Sequence, residues 1–183
     1  MSVFSNPASR SKDDAFAYTS AILELLGDRD PLAVLKETLT ALPRALDGLS
    51  DADSARPEAP GKWSIRHVVR HLADADLVWA WRLRLVLAQD RPTLTGYDQD
   101  LWSSRLHYDE SPVTQSLEDF SVIRRMNLRL IDRATPADLA RVGVHSERGD
   151  ESIAHMVRLY AGHDLLHLNQ IARICRTVEE ART

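Results

Sequence analysis

Apolar residues recur every three or four positions along most of the chain, and this period predicts helices rather than strands. A short first helix is predicted to end at Gly27. A second helix begins at Asp30 and Pro31, an N-cap followed by a first-turn proline, and runs to about Gly48. The apolar positions of these two helices are Phe16, Ile22, Leu23, Leu25 and Leu26, and then Leu35, Leu39, Leu42, Leu46 and Leu49.

Two more long helices have recognisable ends. Ser64 is predicted to cap the third helix, which ends near Asp90. Ser111, followed by a proline, opens the fourth helix, and Thr135, also followed by a proline, stops it. The apolar positions are Val68, Val69, Leu72, Leu77, Trp81 and Leu85 in the third helix, and Leu117, Phe120, Ile123, Leu128 and Ile131 in the fourth.

The last helix is predicted over about residues 151–177, and the segments between the helices lack an apolar period. Loops are predicted at 50–61 and 96–108, and a turn with a little extended chain at 142–149. Four long helices with short connections predict an all-α protein, an antiparallel four-helix bundle with a short extra N-terminal helix. Residues 1–30 would form an N-terminal extension, and residues 31–180 the bundle domain.

Composition is typical of one globular domain, since 44% of the 183 residues are hydrophobic and 27% are charged. The formal charge is −4 and basic residues are scattered, which argues against a nucleic-acid partner. The polar N-terminus does not resemble a signal peptide and no apolar run suits a membrane span, so we expect a cytoplasmic protein with no membrane partner. The single cysteine, Cys175, lies in an apolar run and is predicted to be a small buried residue.

Two histidines, His163 and His167, lie four residues apart on the last helix, in the segment GHDLLHLNQI. Four residues advance a helix by about 400° and about 6 Å, so both imidazoles project from one face and could bind one metal ion. An isolated pair at this spacing can equally serve packing or face solvent. Apolar neighbours on the same helix place the pair beside the buried side, where helical bundles build metal sites.

A third histidine on another long helix strengthens the metal hypothesis. His67 and His71 are themselves four residues apart, so spacing alone does not decide between them. We select His71, because it lies between Val68 and Leu72 on the apolar stripe, whereas His67 falls in the first turn. The remaining histidines, His107, His145 and His155, are expected at the surface or behind the ligands.

The segment HDLLH is also similar to the zinc-protease pattern HExxH, with Asp164 in the position of the glutamate base. Aspartate is one methylene shorter than glutamate, no matching third ligand follows downstream, and the sheet that normally accompanies such a helix is not predicted. The protease hypothesis is therefore set aside.

Two longer segments, KWSIRHVVRHLADAD and AGHDLLHLNQIARI, resemble the DinB-like (DinB/YfiT) superfamily over about residues 31–178. Gln170, three residues after the last histidine, and Gly149, before the final helix, also resemble the family pattern. The resemblance implies a four-helix bundle in which His71, His163 and His167 hold one divalent ion. Three imidazoles suit several divalent metals, and zinc and nickel are our first expectations.

Members of this family with assigned activities use bacillithiol, mycothiol or glutathione. The resemblance therefore implies a metal-dependent thiol S-transferase with a low-molecular-weight thiol as co-substrate, a small-molecule substrate, and a homodimer. A metal-dependent hydrolase and a non-catalytic metal-binding or small-ligand-binding stress protein are the alternatives. Candidate pocket residues are Asp74, one turn after His71 and able to orient a ligand imidazole or a water, and Tyr97, Asp98 and Trp102 of the segment GYDQDLW.

Overall fold

The computed structural model describes residues 12–180, and this part of the chain contains eight helices and three short strands. The helices are α1 (Lys12–Leu26), α2 (Pro31–Ala45), α3 (Asp51–Ala55), α4 (Ile65–Ala88), α5 (Gln99–Arg105), α6 (Val113–Ile131), α7 (Pro136–Leu139) and α8 (Ile153–Glu180). The strands are β1 (Thr93–Leu94), β2 (Val142–His145) and β3 (Gly149–Ser152), and a single 3-10 turn, Tyr108–Glu110, precedes α6.

The four long helices α2, α4, α6 and α8 form the bundle, in which α4 packs mainly against α6 and α2 against α8. Their buried apolar residues form two clusters. The first includes Leu35, Trp79, Leu83, Leu128 and Ile153, and the second includes Leu42, Ile65, Val69, Phe120 and Ile171. Buried polar residues separate the two clusters along α4, α6 and α8. The all-α class and the four-helix bundle are therefore confirmed.

The predicted N-terminal helix is also confirmed, and it packs against α8. Tyr18 and Ile22 of α1 are buried together with Leu159 and Leu166 of α8. The two helices approach closely at Gly162, where a Cβ atom would lie 2.2 Å from the carbonyl oxygen of Ile22. Glycine at this position therefore permits the contact between α1 and α8.

Three segments without an apolar period contain short helices that the pattern did not predict. The predicted loop at 50–61 contains α3, and the predicted loop at 96–108 contains α5. Thr135 caps the short helix α7, in addition to following the end of α6. Capping explains α3 as well, since Ser50 accepts from the N–H of Asp53 at 3.2 Å. Helices of one or two turns are too short for an apolar period to reveal them.

A small three-stranded sheet combines β1, which follows α4, with β2 and β3, which lie between α7 and α8 in the chain; the strand order is β1-β2-β3. Strand β2 pairs in parallel with β1 and antiparallel with β3, which places His145 opposite both Leu94 and Gly149. Gly149 has a φ of +80°, a conformation that glycine adopts without strain. The turn predicted at 142–149 therefore contains strand β2 and the tight turn of a β-hairpin. Helix α8 begins at Ile153 rather than at residue 151.

The solvent-facing side of α4 carries two large apolar residues that helped to predict the helix. Leu77 is 50% exposed and Trp81 is 63% exposed, so neither belongs to the core. Within the described residues, no helix is both long and apolar enough to cross a bilayer.

Candidate metal centre

Three imidazoles meet in the middle of the bundle, His71 from α4 and His163 and His167 from α8. Nε2 of His163 lies 3.0 Å from Nε2 of His71 and 3.1 Å from Nε2 of His167. Two imidazole nitrogens that bind one tetrahedral zinc ion, each at about 2.0–2.1 Å, are separated by about 3.3 Å. The observed separations are close to that value, so these residues fit a shared divalent ion.

Gln170 sets the orientation of one of the three imidazoles. Its side-chain oxygen Oε1 lies 2.9 Å from Nδ1 of His167. Because an amide oxygen can only accept, Nδ1 carries the hydrogen and Nε2 presents its lone pair to the other two rings. Gln170, which resembles the family pattern, thus has a physical role, because it fixes the tautomer of His167.

Burial keeps the three imidazoles neutral. It is the main cause that lowers the pKa of His167 to about 4, and it lowers the pKa of His71 and His163 well below the usual value. Only a neutral imidazole has a lone pair for a metal ion. His163 cannot donate one Nε2 hydrogen to both neighbours at once, so hydrogen bonds within the cluster cannot satisfy all three Nε2 atoms. A shared cation would satisfy them.

His67, the alternative to His71, does not join the cluster. Its Nδ1 lies 2.8 Å from the hydroxyl of Ser64, the residue that caps α4. His71, in contrast, is 1% exposed, and the ring of Trp63 packs against it with a centroid separation of 5.0 Å. The structure therefore brings His71, and not His67, to the pair on α8.

Asp164 points away from the cluster, into a buried ion-pair network centred on Arg124 of α6. Arg124 donates to Asp164 at 2.5 and 2.9 Å and to Asp76 of α4 at 2.8 Å from two nitrogens. It also donates to the carbonyl oxygen of Leu35 in α2 at 3.2 Å. One guanidinium thus links all four bundle helices beside His163. Asp164 is occupied in this network and does not occupy the position of a catalytic base.

Asp74 is buried but does not orient an imidazole. Its carboxylate accepts from the hydroxyl of Tyr108 at 2.6 Å and from the guanidinium of Arg70. Burial and the hydrogen bond from Tyr108 to Asp74 raise the pKa of that tyrosine. Asp74 was predicted to orient a ligand imidazole or a water; these hydrogen bonds reach none of the three imidazoles. Asp74 instead fixes the 3-10 turn against α4.

The three candidates from the segment GYDQDLW have different positions. Tyr97 lines a cavity beside the cluster, together with His71 and His163. Trp102 packs against Tyr97 with a ring separation of 4.5 Å but does not line that cavity. Asp98 is exposed and caps α5, accepting from the N–H of Leu101 at 2.9 Å. Of these three residues, only Tyr97 faces the space next to the histidines.

The cavity also contains polar residues that the pattern did not indicate. His145, Arg148 and Glu151 come from the β-hairpin and its turn, and Arg82 comes from α4. His145 is 2% exposed, and thus is not a surface residue. Two glutamates, one aspartate and one arginine in a short hydrophilic hairpin are typical of surface charges, so the only signal was the strand alternation over residues 142–145. Residues of α1, among them Tyr18 and Ile22, close another side of the cavity.

Comparison with known proteins agrees with this geometry. A protein of Oceanobacillus iheyensis that is named a "putative metal-dependent hydrolase" is 32% identical over 137 residues, which cover 74% of this chain and 78% of that protein. A Bacillus mycoides protein of the same name is 27% identical over 159 residues, covering 87% of this chain and 91% of that protein.

A solved structure shares the fold. YfiT from Bacillus subtilis, described as "a probable metal-dependent hydrolase with an unusual four-helix bundle topology", matches with a TM-score of 0.76 at 24% identity. The match covers 80% of this chain and 85% of YfiT. The family model of the DinB superfamily matches residues 35–171, which include all three clustered histidines. This chain belongs to the DinB superfamily.

Proposed function

We propose that this protein is a metal-dependent hydrolase of a small-molecule substrate, with one divalent ion held by His71, His163 and His167. The observation that carries the proposal is the convergence of three neutral imidazoles, two of which, His71 and His163, line a cavity. Three protein ligands leave coordination positions for water or substrate, as in catalytic rather than structural zinc sites. The names of the relatives support the same reaction class.

The residues around the cluster would hold the site ready for the ion. Gln170 keeps the Nδ1 hydrogen of His167 in place, so that Nε2 is free to bind. Trp63 covers one side of His71, and Tyr160 packs near His163 with a ring separation of 6.2 Å. The Arg124 network fixes α8 at Asp164, directly beside His163. A bound divalent ion would supply Lewis acidity and would lower the pKa of a water molecule coordinated to it toward neutral pH.

Hydrolysis has more support than the thiol transfer that the family resemblance first suggested. The names of the relatives refer to hydrolases and mention no thiol. The metal itself remains an expectation, zinc or nickel, because three imidazoles suit both ions.

The reaction is tested with purified protein loaded with zinc or nickel. A panel of aryl esters, anilides and lactones is incubated in ¹⁸O-labelled water, with and without added glutathione, and products are measured by mass spectrometry. Hydrolysis predicts an acid product that carries one ¹⁸O atom and forms without thiol. The H163A/H167A double variant should lose this activity, whereas H155A should retain it, because His155 is on the same helix but outside the cluster.

Two results would contradict the proposal. Product that forms only with glutathione and carries its sulfur would indicate thiol transfer. Tight metal binding without turnover of any member of the panel would indicate a binding protein instead of a hydrolase.

A further inference from the structure

The cavity beside the histidine cluster has a second polar surface, formed by Arg82, His145, Arg148 and Glu151. We call these four residues the polar wall. They come from α4, from β2 and β3, and from the turn between those strands. The proposed hydrolytic reaction assigns none of them a role.

His145 has a hydrogen-bond donor without a protein acceptor. Its Nδ1 accepts from the backbone N–H of Glu147 at 3.2 Å, so this nitrogen cannot carry a hydrogen. The hydrogen of the imidazole must therefore be on Nε2. That atom is buried and has no hydrogen-bond partner among the described residues. A buried donor without a partner destabilises a protein by about 1–3 kcal/mol, so its retention calls for an explanation.

Arg82 carries a positive charge that no described carboxylate neutralises by direct contact. It is 5% exposed, and its Nη2 donates to the carbonyl oxygen of Thr95 at 2.6 Å. No ion pair within 4.0 Å joins Arg82 to a carboxylate in the described part of the chain. Arg148, in contrast, donates to Glu151 at 2.5 and 3.0 Å and is already neutralised.

Glu147 brings a further charge to the cavity. Its carboxylate covers Gly96, where a Cβ atom would lie 2.4 Å from Oε1. Burial first, and then the nearby Arg148 and Arg82, lower the pKa of His145 to about 3, which agrees with a neutral ring. The polar wall therefore offers an uncharged N–H from His145 and a guanidinium from Arg82.

We propose that Arg82 and His145 bind a carboxylate group of the substrate, while the bond to be hydrolysed lies at the histidine cluster. Only the position of the hydrolysed bond at the histidine cluster rests on the proposed function; the binding of the carboxylate does not. An anionic oxygen accepts the hydrogen bond from Nε2 of His145 and also balances the charge of Arg82. A neutral acceptor would not balance that charge, and a cationic group would add to it. The substrate class is thus a carboxylic acid that also carries an ester or amide bond.

The test is binding to metal-free protein, so that the carboxylate cannot bind a metal ion and hydrolysis is not needed. Benzoate is compared with benzamide, which has the same shape without the charge, by titration followed with ligand-observed NMR. Wild-type protein should bind benzoate at least about tenfold more tightly than benzamide, as expected for hydrogen bonds to a charged group. In protein-observed NMR spectra, the signal of the Nε2 hydrogen of His145 should shift on addition of benzoate.

Variants separate this role from a structural one. R82M should abolish the preference for benzoate, and R84M should keep it, because Arg84 is on the same helix but does not line the cavity. H145F should weaken benzoate binding, and H145Q, which keeps an N–H near the position of Nε2, should largely restore it. If H145F does not fold, the comparison of R82M with R84M decides the question. Equal binding of benzoate and benzamide, or benzoate binding unchanged in R82M, would overturn the proposal without affecting the metal site.

Discussion

Arg124 and Asp164 form a fully buried ion pair with nitrogen–oxygen distances of 2.5 and 2.9 Å, one residue along α8 from His163. The same guanidinium binds Asp76 with two hydrogen bonds of 2.8 Å. All the N–H groups of Arg124 thus have acceptors, including the carbonyl oxygen of Leu35. Burial, and to a smaller extent the negative charge of Asp164, raise the pKa of Asp76 to about 6 despite the hydrogen bonds from Arg124.

Replacing this arginine should strongly destabilise the protein. R124M leaves two buried carboxylates without their partner, and breaking a buried ion pair in this way costs about 3–5 kcal/mol. The free energy of unfolding, measured by urea denaturation, should fall by about that amount. The exposed pair of Lys36 and Asp132 provides the control, because K36M should change it by less than about 1 kcal/mol. Similar small changes in both variants would contradict this account of the network.

Gln170 should tune metal affinity without being a ligand. Q170A removes the acceptor that holds the Nδ1 hydrogen of His167, and loss of such a partner typically lowers metal affinity by about 10–100-fold. Competition titration with a chromophoric zinc chelator measures the change. N169A, at the exposed neighbouring position, should bind zinc as the wild type does. Unchanged affinity in Q170A would mean that the hydrogen bond does not support the site.

Stability should depend on pH through His145. The pKa of this residue is lowered to about 3 in the folded protein, mainly by burial, against about 6.5 in an unfolded chain. Between these values the unfolded chain binds a proton that the folded protein does not. The free energy of unfolding therefore falls as the pH falls below about 6.5, by up to about 1.4 kcal/mol per pH unit for this site.

Urea denaturation of metal-free protein from pH 7 to pH 4 measures this effect as the difference between wild type and H145Q. The variant should show a shallower dependence, since glutamine does not titrate in this range. H107Q is the control, because His107 is exposed and its replacement should leave the dependence unchanged. Parallel curves for wild type and H145Q would show that His145 is not held neutral by the fold.

Gly162 should be intolerant of a side chain, although alanine is the better helix former. In an exposed helix interior the change from glycine to alanine stabilises by about 1 kcal/mol. In G162A the new methyl group would lie 2.2 Å from the carbonyl oxygen of Ile22, so α1 must move away from α8. We expect a loss of about 1–3 kcal/mol, as for other overpacked sites. Limited proteolysis should then cut α1 faster than in wild type.

The reverse substitution on the same helix is the control for this prediction. Ala172 is exposed, so A172G should cost about 1 kcal/mol through helix propensity alone and should leave the cleavage of α1 unchanged. A stabilised G162A variant would show that α1 does not pack on α8 at this position.

The bundle and the histidine cluster could be predicted because their signals repeat along single helices. His163 and His167 share a helix face through their spacing, and the stripe from Val68 to Leu72 distinguishes His71 from His67. The agreement of helix starts with Asp30 and Ser64 has the same origin, because caps are local features.

The polar wall could not be predicted, because its residues meet only through the fold. The parallel pairing of β1 with β2 joins segments about fifty residues apart, and a strand as short as β1 has no readable alternation. The partners of Asp74 could not be predicted for a related reason. Its spacing from His71 shows that both lie on neighbouring turns of α4, but Tyr108, its actual partner, arrives from a distant 3-10 turn.

The most direct test of the account is the metal content of purified, tag-free protein after incubation with zinc and removal of excess ion, measured by elemental analysis. Wild type and H67A should each contain about one ion per chain, whereas H71A and the H163A/H167A double variant should contain almost none. His67 is the matched control, since it lies one helical turn from His71 but is hydrogen-bonded to the hydroxyl of Ser64. Equal metal content in H71A and H67A, or none in wild type, would contradict the assignment of the three histidines.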